Sequence, residues 1–216
     1  PFFLFLIKNS TLINPIKISI SDEEIFNMRP YKWEETVIEI PLKKELIDKY
    51  KLSTNYFSWS VLPDLKGTRN FLSCERAFLL EIIETNQWER PIYWTLGMDN
   101  RYLAGLDSFG SFKGLVYQLM PFKTINTEYE YNLVSIEKLI DEYNFKDYNS
   151  ILQTNQPRVT KSFLEVHSSI FIKLAKIYKE KKQDDKLRDL IKIYENCFKI
   201  GLYPEDEERY LNEIKN

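Results

Sequence analysis

The sequence predicts an α+β fold, with a small mixed β-sheet domain and packed helices over residues 1–150, followed by a helical segment over residues 157–216. Three observations support this prediction. Residues 1–150 hold short segments that alternate apolar and polar side chains, continuous apolar runs and turn-rich stretches. Past Pro157, apolar residues recur every three or four positions. With 44% hydrophobic residues among 216, the chain has ample apolar surface for a buried core.

Alternation predicts short strands near the start of the chain. Residues 16–20 and 36–40 place apolar side chains at every second position, which is the period of a half-buried strand. Residues 55–62 are aromatic-rich and end before a proline, so they suit an edge strand. Residues 43–50 have the spacing of a short helix. Residues 63–70 contain Pro, Asp, Gly and Thr, and they are interpreted as a loop.

The middle of the chain predicts one helix and two strong strands. Ser73 is a candidate N-cap for a helix whose apolar stripe ends near Asn86. Residues 92–96 form a continuous apolar run, which is typical of a central strand covered on both faces. Residues 97–113 are rich in turn formers, and residues 114–121 supply a second strand that a proline ends.

Helices dominate the remainder. A helix is predicted over residues 135–143, and two amphipathic helices follow Pro157, joined by the short polar segment 179–186. Such a short connection favours antiparallel packing. Gly201 is a fitting end for the second of these helices, and residues 205–214 predict a third, acidic helix.

The apolar start of the chain leaves two interpretations open. Residues 1–7 are all apolar, but they fall far short of the about 20 residues that cross a bilayer. The basic region and cleavage site of a signal peptide are missing around them. They are either a buried first strand or the last residues of a transmembrane helix. Because the chain begins with Pro1, we expect it to be a piece cut from a longer protein.

Composition and motifs exclude several classes of function. The 30 basic and 32 acidic residues give a net charge of -2, without the positive excess that binding to nucleic-acid backbones requires. The six glycines form neither a GxGxxG nor a GxxxxGK[ST] phosphate-binding motif. Two cysteines and one histidine are too few for a recognisable zinc cluster. The sequence therefore predicts no nucleic-acid partner, no metal and no other cofactor.

The reactive side chains predict no catalytic residue. Cys74 and Cys197 either form one disulfide, if the fold brings them together, or remain buried free thiols, a common state for cysteine. His167 lies on the apolar stripe of its helix and is interpreted as structural. Glu81 and Glu84 lie three residues apart on the exposed side of the predicted helix, where a solvated face explains them.

An ordered pattern in the middle of the chain resembles a family of membrane proteins. Residues 78–94 read FLLEIIETNQWERPIYW, residues 102–106 read YLAGL and residues 114–121 read GLVYQLMP. This order is similar to the C-terminal soluble region of Bacteroidota multi-spanning proteins related to protein O-mannosyltransferases and other glycosyltransferases of the C superfamily. The final helices resemble the tetratricopeptide-like ending of that family. Gln118 departs from the pattern, which usually has Arg or Lys there.

The resemblance implies a soluble tail on the periplasmic side of the inner membrane, held there by upstream membrane spans. The family's transmembrane part, which would hold the glycosyl-transfer carboxylates, is absent from these residues, so no catalytic residue is carried over. The leading hypothesis is a non-catalytic binding or scaffolding domain that contacts a protein or peptide partner through its C-terminal tetratricopeptide-like helices.

A domain that recognises a carbohydrate or acceptor glycan is the alternative hypothesis. Trp88 and Tyr93 offer rings that stack on sugars, and Arg90 offers a charged donor. Tyr117, in the second predicted strand, completes the candidate ligand-binding set. Arg90 also has a structural interpretation, in which it pairs with a nearby glutamate and seals the helix end. A third hypothesis, a self-contained enzyme, requires a deep cleft with convergent titratable side chains.

Overall fold

The computed structural model describes residues 21–27, 31–66, 69–128, 130–142 and 157–216. The apolar residues 1–7 and the strand predicted at residues 16–20 lie outside the described residues. The chain divides into two compact units. The first holds residues up to 94 together with 98–111 and 118–130, and the second holds residues 95–97, 112–117 and 131 onward.

Short strands alternate with helices before a helical ending, which confirms the α+β fold class. The elements in chain order are α1 (Asp22–Asn27), β1 (Tyr31–Lys32), β2 (Thr36–Pro41), α2 (Lys44–Tyr50), β3 (Tyr56–Val61), β4 (Asp64–Lys66), β5 (Arg69–Leu72), α3 (Cys74–Asn86), β6 (Tyr93–Thr95), β7 (Gly110–Phe112), β8 (Val116–Leu119), α4 (Leu133–Glu142), α5 (Pro157–Glu180), α6 (Asp184–Phe198) and α7 (Pro204–Lys215). Two 3-10 turns, Asn100–Leu103 and Asp107–Phe109, precede β7.

Strands β2 and β3 form a two-stranded antiparallel sheet in the first unit. The predicted alternation holds, because Ile40 and Phe57 are buried while Val37 and Tyr56 on the opposite face are exposed. A three-stranded antiparallel sheet with the order β1-β5-β4 accompanies it. The strands predicted at residues 36–40 and 55–62 and the helix predicted at 43–50 are therefore confirmed.

The interpretation of residues 63–70 as a loop is wrong. Asp64–Lys66 and Arg69–Leu72 pair as antiparallel strands, with Lys66 opposite Arg69. Turn-forming residues mark the point where a chain reverses, but they do not show how soon pairing starts on either side. Strands of three or four residues are too short to produce a period that can be recognised in sequence.

Helix α3 begins after Ser73, as predicted, but the Ser73 side chain makes no capping hydrogen bond. The carboxylate of Asp64 instead accepts the N–H of Ser73 itself at 3.0 Å. The same carboxylate pairs with Arg76 at 2.8 Å, and the Arg76 side chain is only 9% exposed. Arg76 also donates to the carbonyl oxygen of Leu62 at 2.8 Å. An ion pair between strand and helix therefore fixes the start of α3.

The apolar run at residues 92–96 does not form the predicted central strand. The third sheet has the order β6-β8-β7, so β6 is an edge strand and β8, which confirms the strand predicted at residues 114–121, is central. Tyr93 is 51% exposed, and Trp94 is half-buried. Tyrosine and tryptophan combine an apolar body with a polar tip, so a run that contains them does not require burial on both faces. Strand β7 lies inside the segment predicted to be only turn-rich.

Aromatic rings form the centre of the first unit's core. Phe57 stacks on Trp59 at a centroid distance of 4.8 Å and makes edge contacts with Phe109 at 5.0 Å and Trp88 at 5.2 Å. The indole N–H of Trp59 donates to the carbonyl oxygen of Ala104 at 3.1 Å. The surrounding buried residues are Ile40, Leu42, Val61, Leu72, Leu80, Ile83, Leu103, Leu106 and Leu119.

Helices α5 and α6 pack antiparallel, as the short connection predicts. Their contacts run in opposite directions along the two helices, namely Tyr178 with Lys186, Phe171 with Tyr194 and His167 with Phe198. Helix α6 ends at Phe198, shortly before Gly201, which has φ +80°. The third predicted helix is confirmed as α7, and its buried Leu211 and Ile214 join the same core.

A single carboxylate organises the turn between α6 and α7. Glu207 is 2% exposed, and its two oxygens accept hydrogen bonds from four consecutive backbone N–H groups at 2.9–3.1 Å; the donors are Ile200, Gly201, Leu202 and Tyr203. These amides precede the first turn of α7, where a negative charge is favourable. These four hydrogen bonds therefore offset the cost of burying the Glu207 carboxylate.

Gly114 permits the close approach of α4 to the segment before β8. Its φ is +108°, and an added Cβ would lie 2.5 Å from Cδ2 of Leu139. An ordinary side chain at this position would be strained by the positive φ and would require Leu139 to move.

Among the described residues, we find that none of the helices has both the length and the apolar character needed to cross a membrane.

Candidate functional site

The loop between α3 and β6 carries Trp88 and Arg90, and Tyr93, a third predicted ligand-binding residue, begins β6. Gln87 and Trp88 both adopt left-handed backbone angles, with φ of 42° and 61°. The Asn86 amide donates to the carbonyl oxygen of Arg90 at 2.7 Å, and the Glu89 N–H donates to the carbonyl oxygen of Asn86 at 2.7 Å. Asn86 therefore closes this loop on itself, and the strained backbone turns the chain sharply after α3.

The structure places the ring of Trp88 in the core of the first unit. The residue is half-buried, and its ring contacts Phe57 edge-on at 5.2 Å. Its indole N–H is buried and has no hydrogen-bond partner among the described residues. Arg90 and Tyr93, by contrast, are exposed. Two of these three predicted residues, Arg90 and Tyr93, therefore lie at the surface.

Tyr117, the fourth predicted residue, belongs to the second unit and holds a lysine there. Lys173 donates to the Tyr117 hydroxyl at 2.6 Å. Its ammonium group also lies 3.9 Å from the ring centroid of Phe112 and 4.9 Å from that of Tyr117. The arrangement is a cation–π contact that fixes α5 against β7 and β8 residues of the same unit.

Sequence reasoning missed a pocket of about 260 Å³ in the second unit, between α4, α5 and α6. We call it the helical pocket. Aliphatic side chains form much of its wall, and three carboxylates, one lysine and one tyrosine complete it; the lining residues are Glu137, Ile140, Asp141, Leu174, Tyr178, Lys186, Asp189, Leu190 and Ile193. Glu137 and Asp141 are four residues apart, which places them on one helix face, but the sequence does not show that α5 and α6 face them.

A hydrogen-bonded triad lies at one side of the helical pocket. The Tyr178 hydroxyl donates to Oε1 of Glu137 at 2.9 Å, and Lys186 donates to the same oxygen at 2.7 Å. Burial favours a raised pKa for Glu137, but the hydrogen bonds from Lys186 and Tyr178 outweigh it and lower the pKa. Burial, and then the bond to Glu137, raise the pKa of the Tyr178 phenol. At neutral pH the carboxylate is therefore ionised and the phenol is neutral.

The other two carboxylates of the helical pocket face solvent. Asp189 is exposed and pairs with Lys192, one turn further along α6, at 3.1 Å. Asp141 is exposed and makes neither an ion pair nor a hydrogen bond with any residue that the structure describes. Three carboxylates against one ammonium give the lining residues a charge of -2. The pocket therefore combines an aliphatic wall with a negative rim.

The cysteines and the histidine have structural surroundings. Cys74 and Cys197 are half-buried and are not joined by a disulfide, so that alternative is not realised. Burial raises the pKa of the Cys74 thiol, and the negative charge of the neighbouring Glu75 raises it further. His167 is buried, stacks on the ring of Phe163 at 3.7 Å and has Nδ1 2.8 Å from the Phe163 carbonyl oxygen. Burial lowers the pKa of His167, so the ring is neutral at pH 7.

A family model described as TMEM260-associated domain 2 matches residues 7–138, which is more than half of the chain. TMEM260 is a membrane protein family that resembles O-mannosyltransferases. The match ends within α4, so the helices that follow lie outside it. No curated protein and no solved structure shows significant similarity to this chain.

Proposed function

The chain belongs to the TMEM260-associated domain 2 family, and from this membership we propose that it is a non-catalytic binding domain of an O-mannosyltransferase-like membrane protein. It contacts a protein or peptide partner through its C-terminal helices. The parent is a multi-spanning glycosyltransferase of the C superfamily type, and the domain lies on the periplasmic side of the inner membrane. The domain's role is to bring a partner to the enzyme or to hold it there.

The helical pocket is the observation that carries this proposal. Its volume of about 260 Å³ is below the about 300–1,000 Å³ that small-molecule sites usually enclose. A pocket of this size suits one or two side chains of a partner polypeptide. Its aliphatic wall offers the desolvated anchor point from which protein interfaces gain most of their affinity.

The ionisation states in the helical pocket support a non-catalytic role. A general acid or base works best with a pKa near the working pH. Here the pKa of Glu137 is lowered and the pKa of Tyr178 is raised, so both move away from neutrality. The two groups are also bonded to each other at 2.9 Å, which commits them to holding α4 against α5.

Position-specific photo-crosslinking in the full-length membrane protein tests the proposed function. A benzophenone-bearing residue replaces Ile193 in the pocket wall or, as a control, the exposed Arg188 on the same helix. We expect a discrete protein adduct from position 193 and none from position 188. Equal adducts from both positions, or none from either under conditions in which the parent remains active, would contradict the proposal.

Recognition of a carbohydrate is a second candidate function, and the exposure of Arg90 and Tyr93 favours it. An exposed tyrosine ring can stack on a sugar ring, and a guanidinium group can donate hydrogen bonds to sugar hydroxyls. The test is binding of the chain to a glycan array, repeated with Arg90→Ala and Tyr93→Ala. Tyr102→Ala is the matched control, because Tyr102 is another exposed tyrosine of the same unit. Binding that is absent, or that only Tyr102→Ala removes, would contradict this role for Arg90 and Tyr93.

A further inference from the structure

Resting on the proposed function, we infer that the partner of the helical pocket is a basic polypeptide segment. It inserts one large aliphatic or aromatic side chain into the pocket and places a lysine or arginine against the rim. The pocket is therefore specific for a cationic, amphipathic stretch of chain. It does not select acidic segments or anionic small molecules.

The aliphatic wall of the helical pocket favours an apolar side chain on the partner. Ile140, Leu174 and Leu190 are buried, and Ile193 is half-buried at the opening. Water against these side chains makes few hydrogen bonds, so a hydrocarbon side chain that replaces it gains the free energy of apolar burial. A volume of about 260 Å³ has room for the side chain of a leucine, methionine or phenylalanine.

The rim determines the charge of the partner. Asp141 has no ion-pair partner among the residues that the structure describes. Asp189 shares only a pair with Lys192 in which both side chains are about 70% exposed, and such surface pairs exchange readily for another cation. A lysine or arginine on the partner can therefore pair with these carboxylates without breaking a strong ion pair.

Lys186 does not cancel this negative potential, because it is already committed within the pocket. Its ammonium group donates to Glu137 at 2.7 Å and lies 5.6 Å from the centroid of the Tyr178 ring. The pair formed by Lys186 and Glu137 is neutral as a whole. Asp141 and Asp189 therefore account for the lining's total of -2, and only Asp189 has a described counter-ion, the exposed Lys192 outside the lining.

The inference is tested by selecting a random peptide library, displayed on phage, against the immobilised 216-residue chain. We expect the selected peptides to contain a large apolar residue close to lysine or arginine. Their affinity, measured by fluorescence anisotropy with synthetic copies, should fall as the salt concentration rises, because exposed charges are screened.

Charge reversal locates the binding. The double variant Asp141→Lys with Asp189→Lys changes the rim from -2 to +2, and we expect the affinity of the selected peptides to fall at least about tenfold. Asp185→Lys is the matched control: it makes the same substitution at an exposed residue of α6 that pairs with Arg188 outside the pocket. The control should retain affinity within about twofold.

A separate variant tests the contact between the pocket wall and the apolar side chain of the peptide. Ile193→Ala removes part of the pocket wall at a half-buried position, so the chain keeps its fold, which circular dichroism verifies. We expect about a tenfold loss of affinity for the same peptides.

The outcomes separate the two proposals. Peptides that are acidic, or that bind equally well to the double variant and to Ile193→Ala, would overturn the inference while partner binding elsewhere on the chain still stood. A library that yields no peptide above the bare support would overturn both this inference and the proposed function. Selection of basic amphipathic peptides whose affinity depends on Asp141, Asp189 and Ile193 supports both.

Discussion

The two units differ in the hydrogen-bond partners of their aromatic side chains. In the first unit, indole N–H groups donate to distant backbone: Trp33 donates to the carbonyl oxygen of Val61, and Trp59 donates to that of Ala104, both at 3.1 Å. In the second unit, helices are joined through pairs of side chains, such as Ser168 with Tyr194 at 3.0 Å. The indole groups of the first unit therefore hold its backbone in place, whereas the tyrosine hydroxyls of the second unit join one helix to another, as that of Tyr178 does with Glu137 at 2.9 Å.

This difference explains why a high aromatic content does not by itself indicate a sugar-binding platform. Trp33, Trp59 and Trp88 all pack into the core of the first unit. Their rings serve the fold, and the aromatic residue of the predicted glycan site that reaches solvent is Tyr93. The second unit has the more usual combination for a binding surface, because its pocket pairs aliphatic walls with exposed charges.

The largest effect is expected where the first unit depends on one indole group. Trp59→Ala removes a buried ring and its bond to Ala104, so we expect the free energy of unfolding to fall by about 3–5 kcal/mol. Trp59→Phe keeps an aromatic ring but leaves the carbonyl oxygen without its donor, and should cost about 1–3 kcal/mol. Urea denaturation followed by near-ultraviolet circular dichroism measures both. Tyr93→Ala is the exposed control. If it lowered the free energy of unfolding as much as Trp59→Ala does, the special dependence of the first unit on the Trp59 indole would be refuted.

In the second unit, the strongest dependence on one side chain is expected at Glu207. Glu207→Ala leaves four backbone N–H groups without their acceptor, and we expect a loss of about 3 kcal/mol in the free energy of unfolding. Glu207→Gln keeps one acceptor oxygen and should lose less. Glu208→Ala removes an exposed pair with Lys199 and should cost less than about 1 kcal/mol. The same urea titration checks all three variants, and similar losses for Glu207→Ala and Glu208→Ala would contradict the role of the buried carboxylate.

A smaller loss of stability is expected when a side chain is added at Gly114, next to α4. Gly114→Ala places a Cβ 2.5 Å from Cδ2 of Leu139 and imposes a φ of +108° on an alanine, so a loss of about 1–3 kcal/mol is expected. Gly97→Ala is the matched control, because an added Cβ there meets no atom within 4 Å. Thermal unfolding of the two variants gives the comparison, and equal melting temperatures would show that Leu139 moves aside without cost.

The smallest effect on stability is expected from lowering the pH, through His167. Burial lowers the pKa of His167 below its usual 6.5, so the folded state disfavours the proton that the unfolded state accepts. Stability should therefore be unaffected above about pH 7 and should fall as the pH drops through 6.5 towards the lowered value, by at most about 1.4 kcal/mol per pH unit. The variant His167→Gln should remove this part of the pH dependence. Denaturant midpoints measured between pH 7 and pH 5 decide the matter, and parallel curves for both proteins would exclude His167 as the source.

The last three helices could be predicted from sequence because each has its own apolar period. Helices α5, α6 and α7 each place apolar residues every three or four positions, and this local signal needs no knowledge of the partner helix. Strand β4 has only three residues, and the aromatic strand β6 lies at a sheet edge, so local pattern could not identify the first or place the second. Sheet position depends on which strands pair, and pairing is a non-local property.

The helical pocket could not be predicted for a similar reason. Glu137, Tyr178 and Lys186 come from three helices, and 41 residues separate the first two. Each residue taken alone has an ordinary interpretation, as a solvated charge or a core aromatic. Only the packing of α4 against α5 and α6 turns them into one lined cavity. The sequence therefore predicts helices in this part of the chain, but not which of their side chains come together around a pocket.

The carboxylate of Glu207 ties the last helix to the chain before it, and this has a consequence for local opening. Because the amides of residues 200–203 share one acceptor group, they cannot lose their protection one at a time. In deuterium they should exchange as a block, together with the first turn of α7, at a rate set by the release of a single side chain. Helix α7 and the turn before it would then detach as one unit, in a single opening step.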